Sequence, residues 1–359
     1  MVTIKKVTKT SVSVGSLLKQ FQKDMGDEIG SFGNKPVNAD RIPTGLFELD
    51  LAIGGGFPRG KVATIYGPES SNKTNIALLL VANHQKLWPD LTCVFVDLEN
   101  EYNSEWAKKL GVNLDKMVLL RPSYGEQAVD LIEAMLLADD VGLVVLDSLA
   151  ALVGTAELAK SADGEVIAGA AKVISKLYRK SIAAMTEADK RGNCPTLIYV
   201  NQITYKIGVM FGNPETTPGG KKPWYQSALM LRVHGNNIID KSVSQVMPVR
   251  KEVTFLVRKH KFPILATSGK FEMVTHPHAG LEIGQTDDAK AIKTFLTSLG
   301  QFNKGDKDGW VIFGDSYKTQ GEWKSRLVCD PAYGFKVRQY IIKTMLETGE
   351  LIEGDSDEK

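Results

Sequence analysis

Lys61-Val-Ala-Thr-Ile-Tyr-Gly67-Pro-Glu-Ser-Ser-Asn-Lys-Thr74, followed by the apolar run Asn75-Ile-Ala-Leu-Leu-Leu-Val-Ala82, decides the fold. A β-branched run, a Gly/Ser loop and a helix-forming run in that order read as strand, loop and helix. The loop fits G-x-x-x-x-G-K-[ST] at every position but one. Such a loop cradles phosphate, because its backbone N–H groups and the positive end of the helix dipole converge on the phosphate oxygens. Lys73 brings charge to the β- and γ-phosphates, and the Thr74 hydroxyl is placed to ligate Mg²⁺. Gly67, Pro68, Glu69, Ser70, Ser71, Asn72, Lys73 and Thr74 are thus the expected nucleotide loop. Asn72 stands where glycine is usual. Asparagine tolerates positive φ better than other non-glycine residues, so the loop is expected to close, with the added side chain crowding the phosphates and slowing turnover more than binding.

Further runs of the same kind lie on both sides: Cys93-Val-Phe-Val-Asp-Leu-Glu99, Val141-Gly-Leu-Val-Val-Leu-Asp-Ser148 and Thr196-Leu-Ile-Tyr-Val-Asn-Gln202. Helical patterns at 73–87, 103–110 and 125–138 separate them. The alternation predicts an α/β fold with a mostly parallel sheet and helices on both faces. Ser227–Gly235 and Glu252–Lys259 predict extra strands along one side. Asp147 ends a wholly apolar strand some 70 residues after the loop, where a carboxylate holds Mg²⁺ through water. Glu99 lies just past a strand end, in a position to orient water for in-line attack. Asp97 shares its strand face and remains an alternative.

Composition bounds the rest. The 359 residues are 43% hydrophobic and 24% charged, and 44 basic against 42 acidic side chains leave +2. Disorder of the whole chain is excluded, and any nucleic-acid contact must come from local patches. Three widely spaced cysteines and the lack of a secretory or membrane-spanning run favour the cytoplasm and no membrane partner. Residues 1–38 read as an arm with one helix, whose Val14, Leu17, Leu18, Phe21 and Met25 form a stripe for packing on the core or on another subunit. Residues 39–270 read as the core, 271–350 as a small α+β C-terminal domain and 351–359 as an acidic tail. Helices are expected at 287–298 and 335–347, and a hairpin around Trp310–Trp323. His276 and His278 are too few for a metal site.

The loop at 67–74, Ile42-Pro-Thr-Gly45, Lys109-Leu-Gly-Val112, Gly125-Glu-Gln-Ala128, Leu146–Leu152 and above all Ile207-Gly-Val-Met-Phe-Gly-Asn-Pro-Glu-Thr-Thr-Pro-Gly-Gly220 resemble the bacterial RecA recombinase family. The resemblance runs in the same order over about residues 12–350 and has the flavour of a phage- or plasmid-borne member. It implies a RecA-type phosphate-loop ATPase core and an N-terminal helix for subunit packing; in the C-terminal domain, Lys304, Lys307, Lys318 and Lys324 near Trp310 and Trp323 read either as solvated charge or as a surface that gathers duplex DNA. It makes Glu99 the catalytic glutamate and Gln202 the glutamine that senses γ-phosphate and relays it to a DNA loop. Asn103 and Trp106 match the adenine-contacting positions, where the family has Asp and Tyr. Lys259 and Lys261 match a pair that reaches the ATP of the adjacent subunit.

The resemblance also makes 154–169 and 207–220 the two DNA-binding loops; stretches this long without regular structure are usually functional or disordered. Ile167 and Met210 are candidates to wedge between bases, and Gly219 and Gly220 let backbone approach a phosphate. Lys172, Ser175 and Arg179 fall on one helix face, and Lys206 adds charge beside the second loop. Each phosphate contact contributes a salt slope of about −0.7 on single strands. The implied function is an ATP- and Mg²⁺-dependent recombinase that polymerises on single-stranded DNA, pairs it with duplex and exchanges strands. A hexameric helicase or motor on the same core, and an ATP-binding scaffold that hydrolyses little because of Asn72, are the alternatives.

Overall fold

The computed structural model describes residues 13–25, 40–153, 167–205, 215–220, 222–239, 246–278, 280–305 and 309–348. Residues 1–39 and 40–359 form two compact units. The first contains α1 (Val14–Met25), opened by Ser13, whose carbonyl accepts from the Leu17 N–H.

The second unit begins with β1 (Arg41–Ile42), α2 (Phe47–Ala52) and β2 (Phe57–Pro58). It continues through β3 (Val62–Gly67), α3 (Lys73–Leu87), β4 (Thr92–Asp97), α4 (Ser104–Lys109), β5 (Met117–Leu120), α5 (Gly125–Leu137) and β6 (Val141–Asp147). Then come α6 (Ile167–Lys190), β7 (Thr196–Gln202), β8 (Thr204–Tyr205), β9 (Glu215–Thr216), α7 (Lys222–Gln226) and β10 (Leu229–Ile238). β11 (Arg250–His260), β12 (Ser268–Val274), α8 (Ala289–Ser298), β13 (Phe302–Lys304), β14 (Trp310–Ile312), β15 (Asp315–Tyr317), α9 (Gln320–Cys329) and α10 (Pro331–Thr348) complete it.

Eight strands make one sheet in the order β12-β11-β10-β3-β7-β6-β4-β5. From β10 to β5 every neighbour is parallel, and β11 and β12 are antiparallel additions on the β10 side. The predicted parallel sheet with extra strands on one flank is what forms. Strand side chains alternate between two cores, as a period of two requires. Ala63, Ile65, Cys93, Phe95, Leu143, Val145, Ile198 and Val200 face α3, whose residues Ile76–Ala82 are all buried. Val62, Val94, Val96, Val144, Leu146, Leu197 and Tyr199 face the other way, onto α5 and α6. Coverage of both faces explains why these strands read as unbroken apolar runs.

A third cluster gathers Ile292 and Leu296 of α8, Trp323 and Leu327 of α9, and Val337 and Ile341 of α10 around Phe47 of α2. Phe47 meets Phe295 edge to face, centroids 5.9 Å apart. β12 belongs to the main sheet, so that sheet continues across residue 271, where the sequence changes character. The hairpin expected here is β14–β15, turned by Phe313 and Gly314, both at positive φ (52° and 84°), the backbone of a two-residue turn that follows strand twist. Trp323 falls outside it, in α9, because Thr319 caps that helix by accepting from the Glu322 N–H.

Candidate nucleotide site

Every parallel strand of the sheet ends at the same edge, and the loop 67–72 lies there between β3 and α3. Gly67 is required sterically: a Cβ on it would stand 2.1 Å from the Val233 carbonyl oxygen of β10. Ser70 and Asn72 both adopt left-handed backbone, φ 57° and 77°. Asn72 is the N-cap residue of α3 and 6% exposed. Its amide nitrogen donates to Met273 Sδ of β12 at 3.4 Å, and its oxygen accepts from Asn75 Nδ2 at 2.7 Å. The side chain is therefore committed to the β12 side of the loop. That arrangement runs against the crowding expected from sequence.

Lys73 is buried, and its ammonium donates to the Pro68 carbonyl at 2.5 Å and lies 3.5 Å from Ser71 Oγ. Burial lowers its pKa against the pull of Asp147, Glu99 and Glu69. A buried cation whose hydrogen-bond partners are loop oxygens, beside a helix N-terminus, suits an anionic ligand. The Thr74 hydroxyl donates to Asp147 Oδ2 at 2.6 Å. Burial pushes the Asp147 carboxyl up to about 6 against that hydrogen bond, Glu99 adds to the push, and Lys73 opposes it. A hydroxyl and a carboxylate brought together beside the loop are the oxygen donors a hard divalent cation takes. Among the described residues no group of three or more His, Cys, Asp or Glu could hold a metal by itself.

Glu99 stands opposite. Its Oε1 accepts from Ser148 Oγ, the residue after Asp147, and from Gln202 Nε2 at 3.0 Å. Asp97 is taken up structurally: its carboxylate accepts the N–H groups of Glu101 and Tyr102 at 3.3 and 3.2 Å and pairs with Arg121 at 3.4 Å. Asp97 lies beside Asp147 in the β4–β6 pairing and adds to the push on its carboxyl, but of the two it is Glu99 that bonds to Ser148 and Gln202. Asn103 caps α4, accepting from the Trp106 N–H at 2.9 Å, and the Trp106 indole donates to Asn75 Oδ1 at 2.8 Å. Trp106 thus sits one helical turn from the loop.

Lys259 and Lys261 lie elsewhere. β11 runs away from the loop: Lys251 donates to the Ser70 carbonyl at 2.5 Å, and Lys259 lies eight positions further on, about 26 Å at the usual strand rise. Lys259 donates to the Trp224 carbonyl and Lys261 is exposed. They serve no phosphate in their own chain's loop.

Gln202 closes β7, and β8 follows at once. Thr204 pairs with Thr216 and Tyr205 with Glu215, so a short ladder closes the base of segment 206–214. Asn201 Nδ2 reaches the Pro218 carbonyl at 3.2 Å, and Glu215 takes Arg232 in two 2.8 Å bonds. Gly219 and Gly220 both hold positive φ; Gly219 packs on Ile174, while Gly220 faces open space. On α6, Val173, Ile174, Leu177 and Tyr178 are buried, Lys172 and Arg179 exposed and Ser175 half-buried. Lys206, Met210 and the Ile167 side chain lie outside the described residues. His276 Nδ1 is bonded to the Pro248 carbonyl and His278 Nδ1 to the His276 carbonyl. Ser148, Asn75 and Met273 carry no mark in the sequence as neighbours of the loop, since none belongs to its motif, and Lys251 reads there only as one charge of a basic stretch over 241–261 divided between ATP contacts across subunits and a second DNA surface.

The family model of the RecA N-terminal domain matches residues 11–274. Protein RecA of Mesomycoplasma hyopneumoniae (strain J) is 35% identical over 289 residues, 77% of this chain and 83% of its own. Protein RecA of Bordetella pertussis is 38% identical over 267 residues, 72% of this chain and 74% of its own. The crystal structure of the RadB recombinase superposes with a TM-score of 0.46 at 20% identity, covering 65% of this chain and 96% of its own. On a match that spans the whole sheet, and on relatives at these identities, the chain belongs to the RecA family.

Proposed function

We propose that this chain is an ATP-dependent DNA recombinase that assembles as a helical filament on single-stranded DNA, pairs it with homologous duplex and exchanges strands. The observation that carries the reading is the Gln202–Glu99 hydrogen bond, which joins the nucleotide site to the strand leading directly into segment 206–214. Lys73 and the loop N–H groups hold the polyphosphate, and Trp106 with Asn103 takes the adenine side. Thr74 and Asp147 are the residues that would hold Mg²⁺, which when bound neutralises phosphate charge. Glu99 orients the attacking water. Gln202 leaves Glu99 when a γ-phosphate offers it a better acceptor and thereby couples the phosphate to the DNA side of the chain through β7, a ligand-driven switch. Lys259 and Lys261, remote from their own loop, act on the nucleotide of the next subunit, so ATP stabilises the polymer. Lys172, Ser175 and Arg179 on α6, with Ile167, Lys206, Met210, Gly219 and Gly220, form the DNA-facing side. Base pairing between strands supplies sequence recognition, and the protein contributes backbone contacts and extension.

The test is ATP turnover with and without single-stranded DNA, together with electron microscopy on DNA and a non-hydrolysable ATP analogue. Stimulated turnover and an open helical polymer are expected. A closed ring would favour a helicase, and an unstimulated, non-hydrolysing protein a scaffold.

A further inference from the structure

The antiparallel flank of the sheet touches the nucleotide loop at two alternate positions, Ser70 and Asn72. Lys251 and Met273 are cross-strand partners in the β11–β12 ladder. Met273 receives the amide of Asn72, and Lys251 Nζ donates to the Ser70 carbonyl at 2.5 Å. These are the two non-glycine loop residues with left-handed backbone. Gly235 of β10 eases the approach: a Cβ there would lie 3.4 Å from the Lys251 stem, 3.4 Å from the Ser70 oxygen and 3.3 Å from Ser71 Cα. Burial lowers the Lys73 pKa and the nearby Lys251 charge adds a smaller push the same way, while at Lys251 itself burial lowers the pKa. A second lysine beside the first has an electrostatic cost that an anion would relieve.

We propose that Lys251 is a positioning residue of the nucleotide site, acting within its own chain. It holds the Ser70 carbonyl on the outside of the loop, which keeps the following N–H groups turned inward, and it adds a second positive charge for the polyphosphate. The inference rests on the loop being a nucleotide site.

The test is titration of the full-length protein with a fluorescent ADP at two salt concentrations, for the parent, Lys251→Met, Lys251→Arg and Lys73→Ala, with adenosine as a phosphate-free competitor. Lys251→Met is expected to weaken ADP about tenfold, the size of one charge-assisted hydrogen bond. It should also flatten the salt dependence, leave adenosine competition within twofold, and raise KM for ATP far more than it changes kcat. Lys251→Arg is expected to restore most of the affinity. ADP affinity within twofold of the parent in Lys251→Met overturns the proposal. So does an equal loss for ADP and adenosine, or a loss that arginine does not repair. Failure of the parent itself to bind ADP, or binding indifferent to Lys73→Ala, sinks instead the nucleotide-site reading.

Discussion

At the residue scale, two carboxylates two positions apart have opposite duties. Asp97 stabilises the turn after β4 by accepting two backbone N–H groups, whereas Glu99 faces Gln202 and Ser148. Glu99→Gln is therefore expected to lower DNA-stimulated ATP turnover by about a hundredfold or more, the usual contribution of a general base. ATP-dependent DNA binding should survive it; equal loss of both in filter binding and turnover assays removes Glu99 from the chemistry. His84 supplies a separate prediction. It is fully buried beside Cys93 Sγ (3.4 Å) and Trp88, and burial, with a contribution from Arg59, depresses its pKa to about 4. The unfolded chain binds the proton more readily, so this contribution to stability is present above about pH 6.5 and is lost as pH falls towards 4. The shift corresponds to about 3 kcal/mol. Urea denaturation of the parent and of His84→Gln across that window should show the steeper loss in the parent.

At the element scale, most of the framework was legible because strand, loop and helix each leave local marks. The helix predicted at 73–87 forms as Lys73–Leu87, and the one at 125–138 as Gly125–Leu137. What escaped was the company these elements keep. Nothing near residue 72 foretells that Met273 will receive its side chain, and nothing in Asp97-Leu-Glu99 says which acid turns inward, because both answers depend on strands paired across long chain separations. Trp323 lies outside the hairpin predicted around Trp310–Trp323 because a local cap at Thr319, not aromatic spacing, decides the helix. The helix α6 separates its duties by face. Leu177→Ala, on the fully buried side, is expected to cost about 3 kcal/mol in denaturant titrations. Lys172→Ala combined with Arg179→Ala, on the exposed side, should leave stability within about 0.5 kcal/mol. On single-stranded DNA the pair should reduce the slope of log affinity against log salt by about 1.4, two contacts at about 0.7 each.

At the scale of the whole molecule, residues 40–359 cohere without the first 39. Removal of residues 1–38 is accordingly expected to leave cooperative unfolding and ADP affinity unchanged, while sedimentation and electron microscopy on DNA show the long polymer replaced by short or isolated subunits. A truncated protein that still polymerises would assign subunit packing to the core instead. The doubly engaged oxygen of Glu99 also bears on the molecule at rest. Ser148 and Gln202 between them take up both lone pairs of Oε1, which leaves that oxygen no further acceptor capacity while both contacts stand. A water drawn to this carboxylate has to take its second oxygen or displace Ser148 or Gln202.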